Sequence, residues 1–264
     1  MKVHMQHHTN RAHVGVLSGE HYVYQANPAT YYQAIKSDQT SLRLCHEASV
    51  RITDYKQVGA FFFQTDGPQM YPNSVVNDVF YHANDDGIKA YYSDVTAKRI
   101  TIWKVHNDPI IQMGWDSRQV SGVVIDGLDI IHTRFRRSET VVPSAIIGAS
   151  PFYTGGKTPD TNKFISLSIS NVVCEGPCPS LFRIQALQNY RNFKVKNVSY
   201  PDGLITGSFG LGQSLVPYVP GMSMELHVEN WTIRGEKVTM ANFQSDRLGQ
   251  LNIAGEYWGQ WSIE

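Results

Sequence analysis

The chain has 264 residues, with 23 basic and 23 acidic residues and therefore a formal net charge of zero. Its hydrophobic content of 42% is enough for a core and excludes a disordered chain. The balanced charge gives no reason to expect a nucleic-acid partner, and the lack of about 18 consecutive apolar residues argues against a membrane span. Only 17% of the residues are charged, and 14 are tyrosines. This composition favours an extracellular β protein that handles neutral polar ligands.

The first element in chain order is a helix that we predict over Asn27–Lys36. Asn27 is a favourable N-cap residue, and Pro28 suits the first helical position. Before it lies a histidine-containing terminus, which we interpret as a solvated segment and not as a metal site. No other part of the chain shows metal-ligand spacing, so we expect neither a metal nor another cofactor.

After Asp54 the chain consists mainly of short alternating apolar segments, each interrupted by a turn residue. These turn residues follow one another at steps of 26, 23, 44, 26, 33 and 25, and we interpret the step of 44 as two steps of 22. Such a period is typical of a solenoid and predicts an all-β parallel β-helix. The alternative is a β-sandwich with coincidental spacing. The turn residues are Asp78, Lys104, Gly127, Asn171, Asn197, Asn230 and Gly255.

Two acidic motifs lie about one predicted coil apart. Asp66 precedes Asp85 and Asp86 by 19 and 20 residues, so stacked coils would bring the three carboxylates into one patch. Mutual repulsion then raises the pKa of at least one of them. A protonated acid beside an ionised base is the arrangement that glycosidic cleavage requires. The alternative is that Asp-Asp-Gly forms an ordinary solvated turn.

The following segments contain aromatic rings flanked by polar and basic residues, a composition typical of sugar-binding clefts. Trp103 and Lys104 are neighbours on a predicted strand, so their side chains must point to opposite faces. We expect Lys104 to point outward and Trp103 to lie in the core. Trp115 follows a glycine at a turn and is the better candidate for stacking against a sugar ring.

The cysteines and sequons agree with an oxidising, extracellular setting. Cys174 and Cys178 are separated by Glu-Gly-Pro and are predicted to form a small-loop disulfide, because the further soft ligands that zinc would need are missing. Cys45 is then left over. Asn197 and Asn230 each begin an N-glycosylation sequon, which weakly supports a secreted glycoprotein.

These motifs together closely resemble glycoside hydrolase family 49, in its dextranase branch. The resemblance rests on four segments and runs from about Asp54 to the C-terminus, and more weakly over 16–44. The spacing of the three aspartates matches the catalytic set of that family. The segments are Phe62–Gly67, Asn84–Lys89, Trp103–Trp115 and Ile131–Arg134.

The resemblance implies a right-handed parallel β-helix that hydrolyses α-1,6-glucosidic bonds inside dextran with inversion. It implies that Asp85 is the general acid, and that Asp66 and Asp86 activate water. It further implies an extracellular enzyme, expected to be a monomer, whose partner is a polysaccharide. The substrate-binding residues that it implies are Lys89, Tyr91, Lys104, Asn107, Gln112, Trp115, His132 and Arg134.

The family carries a β-sandwich domain and a secretion signal before the β-helix, and this chain shows neither. We therefore expect residues 1–53 to form incomplete first coils and residues 54–264 to form the catalytic β-helix. Three alternatives stay open for the function. One is isopullulanase-type cleavage of an α-glucan, and the second is a pectin hydrolase, which would need a denser cationic cluster. The third is a catalytically impaired fragment acting only as a carbohydrate-binding solenoid.

Overall fold

The structure is a computed structural model of the chain. It describes residues 3–5, 13–17, 21–25, 49, 51–57, 67, 70–83, 86–104, 109–114, 116–132, 145–148, 159–176, 178, 180–183, 187–203, 221–244 and 260–264. The predicted helix over 27–36 lies outside these residues, as do Cys45 and Gly255.

Strands dominate the described part of the chain. The short helix α1 spans Met240–Gln244, and it begins with a reciprocal capping pair in which Thr239 and Asn242 each accept a hydrogen bond from the backbone amide of the other. Among the described residues, no helix has the length and apolar character needed to cross a membrane. The strands are β1 (Val3–Met5), β2 (His13–Leu17), β3 (His21–Gln25), β4 (Arg51–Gln57), β5 (Val75–Ala83), β6 (Ile88–Lys89), β7 (Thr96–Lys104), β8 (Ile111–Gln112), β9 (Val120–Ile131), β10 (Ala145–Gly148), β11 (Asp160–Cys174), β12 (Ser180–Arg183), β13 (Gln188–Tyr200), β14 (Met224–Ile233), β15 (Glu236–Lys237) and β16 (Gln260–Ile263).

Two parallel sheets form the body of the fold. The longer sheet stacks β4, β5, β7, β9, β11, β13, β14 and β16 in that order, and the shorter one stacks β6, β8, β10 and β12. From β5 to β13 the chain alternates between the two sheets, so that each coil contributes one strand to each of them. This is a parallel β-helix, as predicted, and the parallel pairing excludes the β-sandwich alternative, whose sheets are antiparallel.

Smaller antiparallel elements accompany the solenoid. Strands β1, β2 and β3 pair in sequence, and β15 folds back onto β14. Strand β4 crosses the boundary that we expect at residue 54 and pairs in parallel with β5.

The core is built from rows of apolar side chains that repeat from coil to coil. Strands alternate between inward and outward side chains, and residues that pair in register point to the same face. Each fully buried large side chain contributes about 1.5–3 kcal/mol relative to leaving it exposed. One such buried row contains Val79, Ile100, Leu128, Val172, Val198 and Trp231.

A column of left-handed residues runs alongside this row. The strand register places one residue with positive φ from each coil of the longer sheet directly above its neighbour. Asparagine, aspartate and glycine tolerate this conformation best, which explains why these residue types recur at the turn position. The column contains Asp54, Asp78, Arg99, Gly127, Asn171, Asn197 and Asn230.

Two details of the predicted repeat are wrong. Arg99, not Lys104, occupies the turn position of its coil, where it donates hydrogen bonds to the carboxylate of Asp78 at 2.5 and 2.6 Å. The step of 44 residues is one coil and not two, because β9 pairs directly with β11. The coil is long because it carries insertions on both sides of β10, and coil spacing alone does not distinguish an insertion from an extra coil.

Three asparagines of this column form a hydrogen-bonded ladder. The Nδ2 atom of Asn197 donates to Oδ1 of Asn171 at 3.0 Å, and Nδ2 of Asn230 donates to Oδ1 of Asn197 at 3.0 Å. Both sequon asparagines therefore have a structural role in the exposed turns. Each bond is expected to contribute about 0.5–1.5 kcal/mol.

We expect Asn197→Ala to lower the free energy of unfolding by about 1–3 kcal/mol. The variant loses both ladder bonds, and alanine tolerates the left-handed region less well than asparagine. Asn197→Gly removes the same bonds but relieves the backbone, so its loss should be smaller. Lys194→Ala, at an exposed position of the same strand, is the control. Chemical denaturation gives the comparison, and equal stability of the alanine variant and the parent would contradict the role of the ladder.

The predicted disulfide is present. Cys174 and Cys178 are bonded to each other, and both are buried. The loop that they close also contacts the next coil, because the Cys178 amide donates to the carbonyl of Gly203 at 2.8 Å. The disulfide therefore fixes the turn after β11 against the following coil.

Candidate active site

The two acidic motifs come together through the residue that follows Asp66. The amide of Gly67 donates a hydrogen bond to the carbonyl oxygen of Asp86 at 2.7 Å, and both residues are buried. Asp66 and Asp85 lie outside the described residues. The neighbouring backbone nevertheless shows that the segment after Asp66 lies directly against the segment that carries Asp86.

The contact at Gly67 leaves no room for a side chain. A Cβ atom built on Gly67 would lie 1.9 Å from the carbonyl oxygen of Gly87 and 2.8 Å from its carbonyl carbon. Both atoms belong to the backbone and cannot move by a change of rotamer. The Asp-Gly sequence in each motif thus permits the close approach of two turns, which is one of the established uses of glycine.

The turn that carries Asp86 is held between the two sheets. Strand β5 ends at Ala83, and β6 begins at Ile88, whose amide donates to the carbonyl of Ile110 at 2.7 Å. The next bond runs from the amide of Ala90 to the carbonyl of Gln112 at 2.8 Å. Asp86 therefore lies on a short segment that is anchored immediately after it by the shorter sheet.

The carboxylate of Asp86 is buried, with only 3% of the residue exposed. The Nε2 atom of Gln112 donates to its Oδ1 atom at 3.2 Å, and the hydroxyl of Tyr91 donates to its Oδ2 atom at 3.4 Å. The other end of the Gln112 amide accepts a hydrogen bond from the Gly114 amide at 3.1 Å. That bond orients the amide so that its NH₂ group faces the carboxylate.

Tyr91 is in turn covered by a cation. The guanidinium carbon of Arg118 lies 4.3 Å from the centre of the Tyr91 ring. The backbone amide of Arg118 donates to Oε1 of Gln188 at 3.2 Å, and Nε2 of Gln188 donates to the hydroxyl of Tyr190 at 2.7 Å. Because Arg118 lies just before β9, this contact ties the surroundings of Asp86 to β13, which is two strands beyond β9 and four beyond β5 in the longer sheet.

Arg118, Gln188 and Tyr190 were not among the residues predicted from the sequence. Arg118 is 27 positions after Tyr91 and 70 positions before Gln188, and no motif connects the three. Their association depends on the stacking register of the coils. The only local signal in the sequence is the glycine at position 114, a residue type that favours turns. In the structure its φ is 114°.

The predicted orientation of Trp103 and Lys104 is wrong. Lys104 is fully buried, whereas 36% of Trp103 is exposed. The reason is the period of two in β7, because the inward side chains of Ile100 and Ile102 place residue 104 on the same inner face. The prediction was wrong because it assumed that the charged lysine must face solvent and that the apolar tryptophan must therefore be buried.

On the outer face, Trp103 lies between two histidines from neighbouring coils. Its ring stacks on His82 with centres 4.5 Å apart, and the ring of His132 is tilted against it at 5.1 Å. Burial lowers the pKa of His82 below its usual value. The three rings stand at the ends of β5, β7 and β9, beside the turns that lead to the shorter sheet.

The remaining predicted site residues fall into two groups. Lys89 is half-buried and pairs in register with Gln112, and His132 is exposed beside Trp103. Among the residues with described side chains, no group of three or more His, Cys, Asp or Glu is arranged to hold a metal ion. Outside the described residues, in addition to Asp66 and Asp85, lie Asn107, Trp115 and Arg134.

Three family models match different parts of the chain. The model described as "Glycosyl hydrolase family 49" matches residues 154–264. The model "Isopullulanase beta-solenoid repeat" matches residues 103–135, and "Beta solenoid repeat from Dextranase" matches residues 45–67. The three matched ranges do not overlap, and together they include most strands of the β-helix.

Curated relatives agree with these matches. A dextranase from Talaromyces minioluteus is 58% identical over 94% of this chain and 46% of its own length. An isopullulanase from Aspergillus niger is 34% identical over 70% of this chain and 40% of its own length. The chain therefore spans less than half the length of either relative.

A solved structure shows the same fold. Dex49A from Penicillium minioluteum superimposes with a TM-score of 0.76 and is 65% identical, covering 83% of this chain and 38% of its own. The higher identity to the dextranase than to the isopullulanase agrees with the branch that the motifs indicate. The family resemblance predicted from the sequence is therefore confirmed, and the chain is a relative of the dextranases in glycoside hydrolase family 49.

Proposed function

We propose that this chain hydrolyses α-1,6-glucosidic bonds within dextran, with inversion of the anomeric configuration. Asp85 is the general acid in this proposal, and Asp66 and Asp86 activate the attacking water. The observation that carries the proposal is the bond between Gly67 and Asp86, which brings the two acidic motifs together in adjacent coils. The high identity to a dextranase supports dextran as the substrate.

The surroundings of Asp86 suit a carboxylate that acts as a base. Gln112 and Tyr91 both donate hydrogen bonds to it, and donated bonds stabilise the charged form of a carboxylate. An inverting hydrolase needs about 6.5–9.5 Å between acid and base so that water fits between them. Asp85 and Asp86 are adjacent in sequence, so the separation depends on their side chains pointing in different directions.

The predicted substrate-binding residues divide by position. Lys89 and His132 are accessible enough to contact a glucan directly, and we propose the same role for Asn107, Trp115 and Arg134. Tyr91 and Gln112 contact the Asp86 carboxylate, so we propose that they act mainly through it. Lys104 is fully buried and is proposed to affect the site from the inner face of the solenoid.

Two alternatives remain. The match of residues 103–135 to an isopullulanase repeat favours cleavage of another α-glucan, such as pullulan. The second alternative is a solenoid that binds carbohydrate without turnover, and it stays open because Asp66 and Asp85 lie outside the described residues. We further propose a monomeric, extracellular protein, in line with the buried disulfide.

A reducing-sugar assay on dextran, pullulan and polygalacturonate tests the proposal. Release of reducing ends from dextran alone is the expected result, and NMR of the first product should show the β-anomer, which distinguishes inversion from retention. Activity on pullulan alone would establish the isopullulanase-type alternative. Retardation of the protein in a dextran-containing gel, without product from any of the three polymers, would establish the binding solenoid.

A further inference from the structure

The contacts around Asp86 form a closed ring, which consists of four side chains and the backbone of Gly114. From the carboxylate, one arm runs through Gln112 to the Gly114 amide, and the other runs through the hydroxyl and ring of Tyr91 to the Arg118 guanidinium. The two arms meet, because Arg118 lies on Gly114: a Cβ atom there would be 2.2 Å from Nε of Arg118. Both donors to Asp86 therefore depend on the position of one arginine.

Arg118 is held in this position from outside the ring. Its backbone amide is bonded to Gln188, which is fully buried and is itself bonded to Tyr190. The Nε atom of Arg118 is buried and has no hydrogen-bond partner within the part of the chain that the structure describes. Burying such a donor costs free energy, so hydrogen bonding by Nε does not explain why the Arg118 side chain occupies this position.

We propose that Arg118 is a positioning residue for the hydrolytic reaction, acting on Asp86 through Tyr91 and Gln112. The guanidinium fixes the plane of the Tyr91 ring and, as a cation over its π face, strengthens the phenolic O–H as a donor. Its contact with Gly114 keeps the turn that orients the Gln112 amide. This role rests on the proposed function, because it presupposes that Asp86 acts on water.

A matched control exists elsewhere on the molecule. The guanidinium of Arg191 lies 4.9 Å from the ring centre of Phe164, an arginine–aromatic pair of the same type between neighbouring coils. Arg191 is exposed, and its guanidinium lies over Phe164 and not over Tyr91. Arg191→Met thus removes a cation from an aromatic ring without touching the site.

Kinetics on dextran give the first measurement. Arg118→Met is expected to lower kcat by roughly 10- to 100-fold with little change in KM, since small displacements of catalytic groups have effects of this size. Arg118→Lys should restore part of the loss, and Arg191→Met should leave both constants unchanged. An increase in KM at constant kcat would overturn the proposal, because it would make Arg118 a substrate-binding residue.

A second measurement does not need turnover. With ¹³Cζ-labelled tyrosine, the Tyr91 resonance is assigned by its loss in Tyr91→Phe. Asp86→Asn and Arg118→Met should both shift it, and Arg191→Met should not. A Tyr91 resonance that stays in place in folded Arg118→Met would overturn the proposal. If the parent hydrolyses none of the polymers, the proposed function fails, and this resonance still decides whether Arg118 controls the Tyr91–Asp86 contact.

Discussion

Asp85→Asn and Asp86→Asn are each expected to slow the hydrolysis of dextran by about 10²–10⁴-fold, the usual contribution of general acid–base catalysis. The family resemblance implies that Asp85 is the general acid. Asp86 accepts hydrogen bonds that suit a carboxylate acting as a base. Asp66→Asn should also be severe. Asparagine keeps the volume of each side chain, so circular dichroism spectra should match that of the parent.

Substrates with different leaving groups separate the two roles. In a nitrophenyl glycoside of a glucan oligosaccharide, the leaving group departs as nitrophenolate and needs no protonation. Asp85→Asn should therefore recover much of the parent's rate on this substrate. Asp86→Asn should not recover, because water still needs a base. Activity of Asp85→Asn within about threefold of the parent on dextran itself would remove Asp85 from the acid role.

The substitution at position 86 also has a local consequence. Asp86 accepts bonds from both Gln112 and Tyr91. An asparagine offers one acceptor oxygen and one NH₂ group, so one of the two donors would face another donor. A modest loss of stability is therefore expected for Asp86→Asn, and activities must be compared at a temperature well below the melting transition.

Much of the coil architecture is predictable because the local conformation repeats. Residues that tolerate positive φ recur once per coil, and apolar residues flank them, so Asp78, Asn171, Asn197 and Asn230 identify the stacking column from sequence alone. The acidic motifs are predictable for the same reason. Their spacing approximates one coil, and the contact between Gly67 and Asp86 agrees with that spacing.

Other features were not predictable, because they depend on phase and on distant contacts. The burial of Lys104 follows from the inward position of Ile102 two residues earlier, a geometric rule that outweighs the preference of lysine for solvent. The length of the coil between Gly127 and Asn171 depends on insertions that carry no periodic signal. Arg118 reaches Tyr91 only once the coils have stacked.

Gly67→Ala is expected to damage both stability and turnover, although it adds a single methyl group. The Cβ atom would lie 1.9 Å from the carbonyl oxygen of Gly87, so the two turns must separate. Separation weakens the 2.7 Å bond from the Gly67 amide to the Asp86 carbonyl. Overpacking of this kind costs about 1–3 kcal/mol, and the weakened hydrogen bond adds about 0.5–1.5 kcal/mol.

The same displacement should change the relation between the acidic motifs, because Gly67 follows Asp66 directly and contacts the segment of Asp86. A shift of about 1 Å between catalytic groups can cost roughly 10²-fold in rate. Gly235→Ala is the matched control, since nothing lies within 4 Å of its Cβ position and its φ of 77° imposes only local backbone strain. It should lower the melting temperature without changing kcat per folded molecule. Thermal unfolding and single-turnover rates of both variants give the comparison. A Gly67→Ala protein with the kcat of the parent would show that the separation of these two turns does not control the reaction.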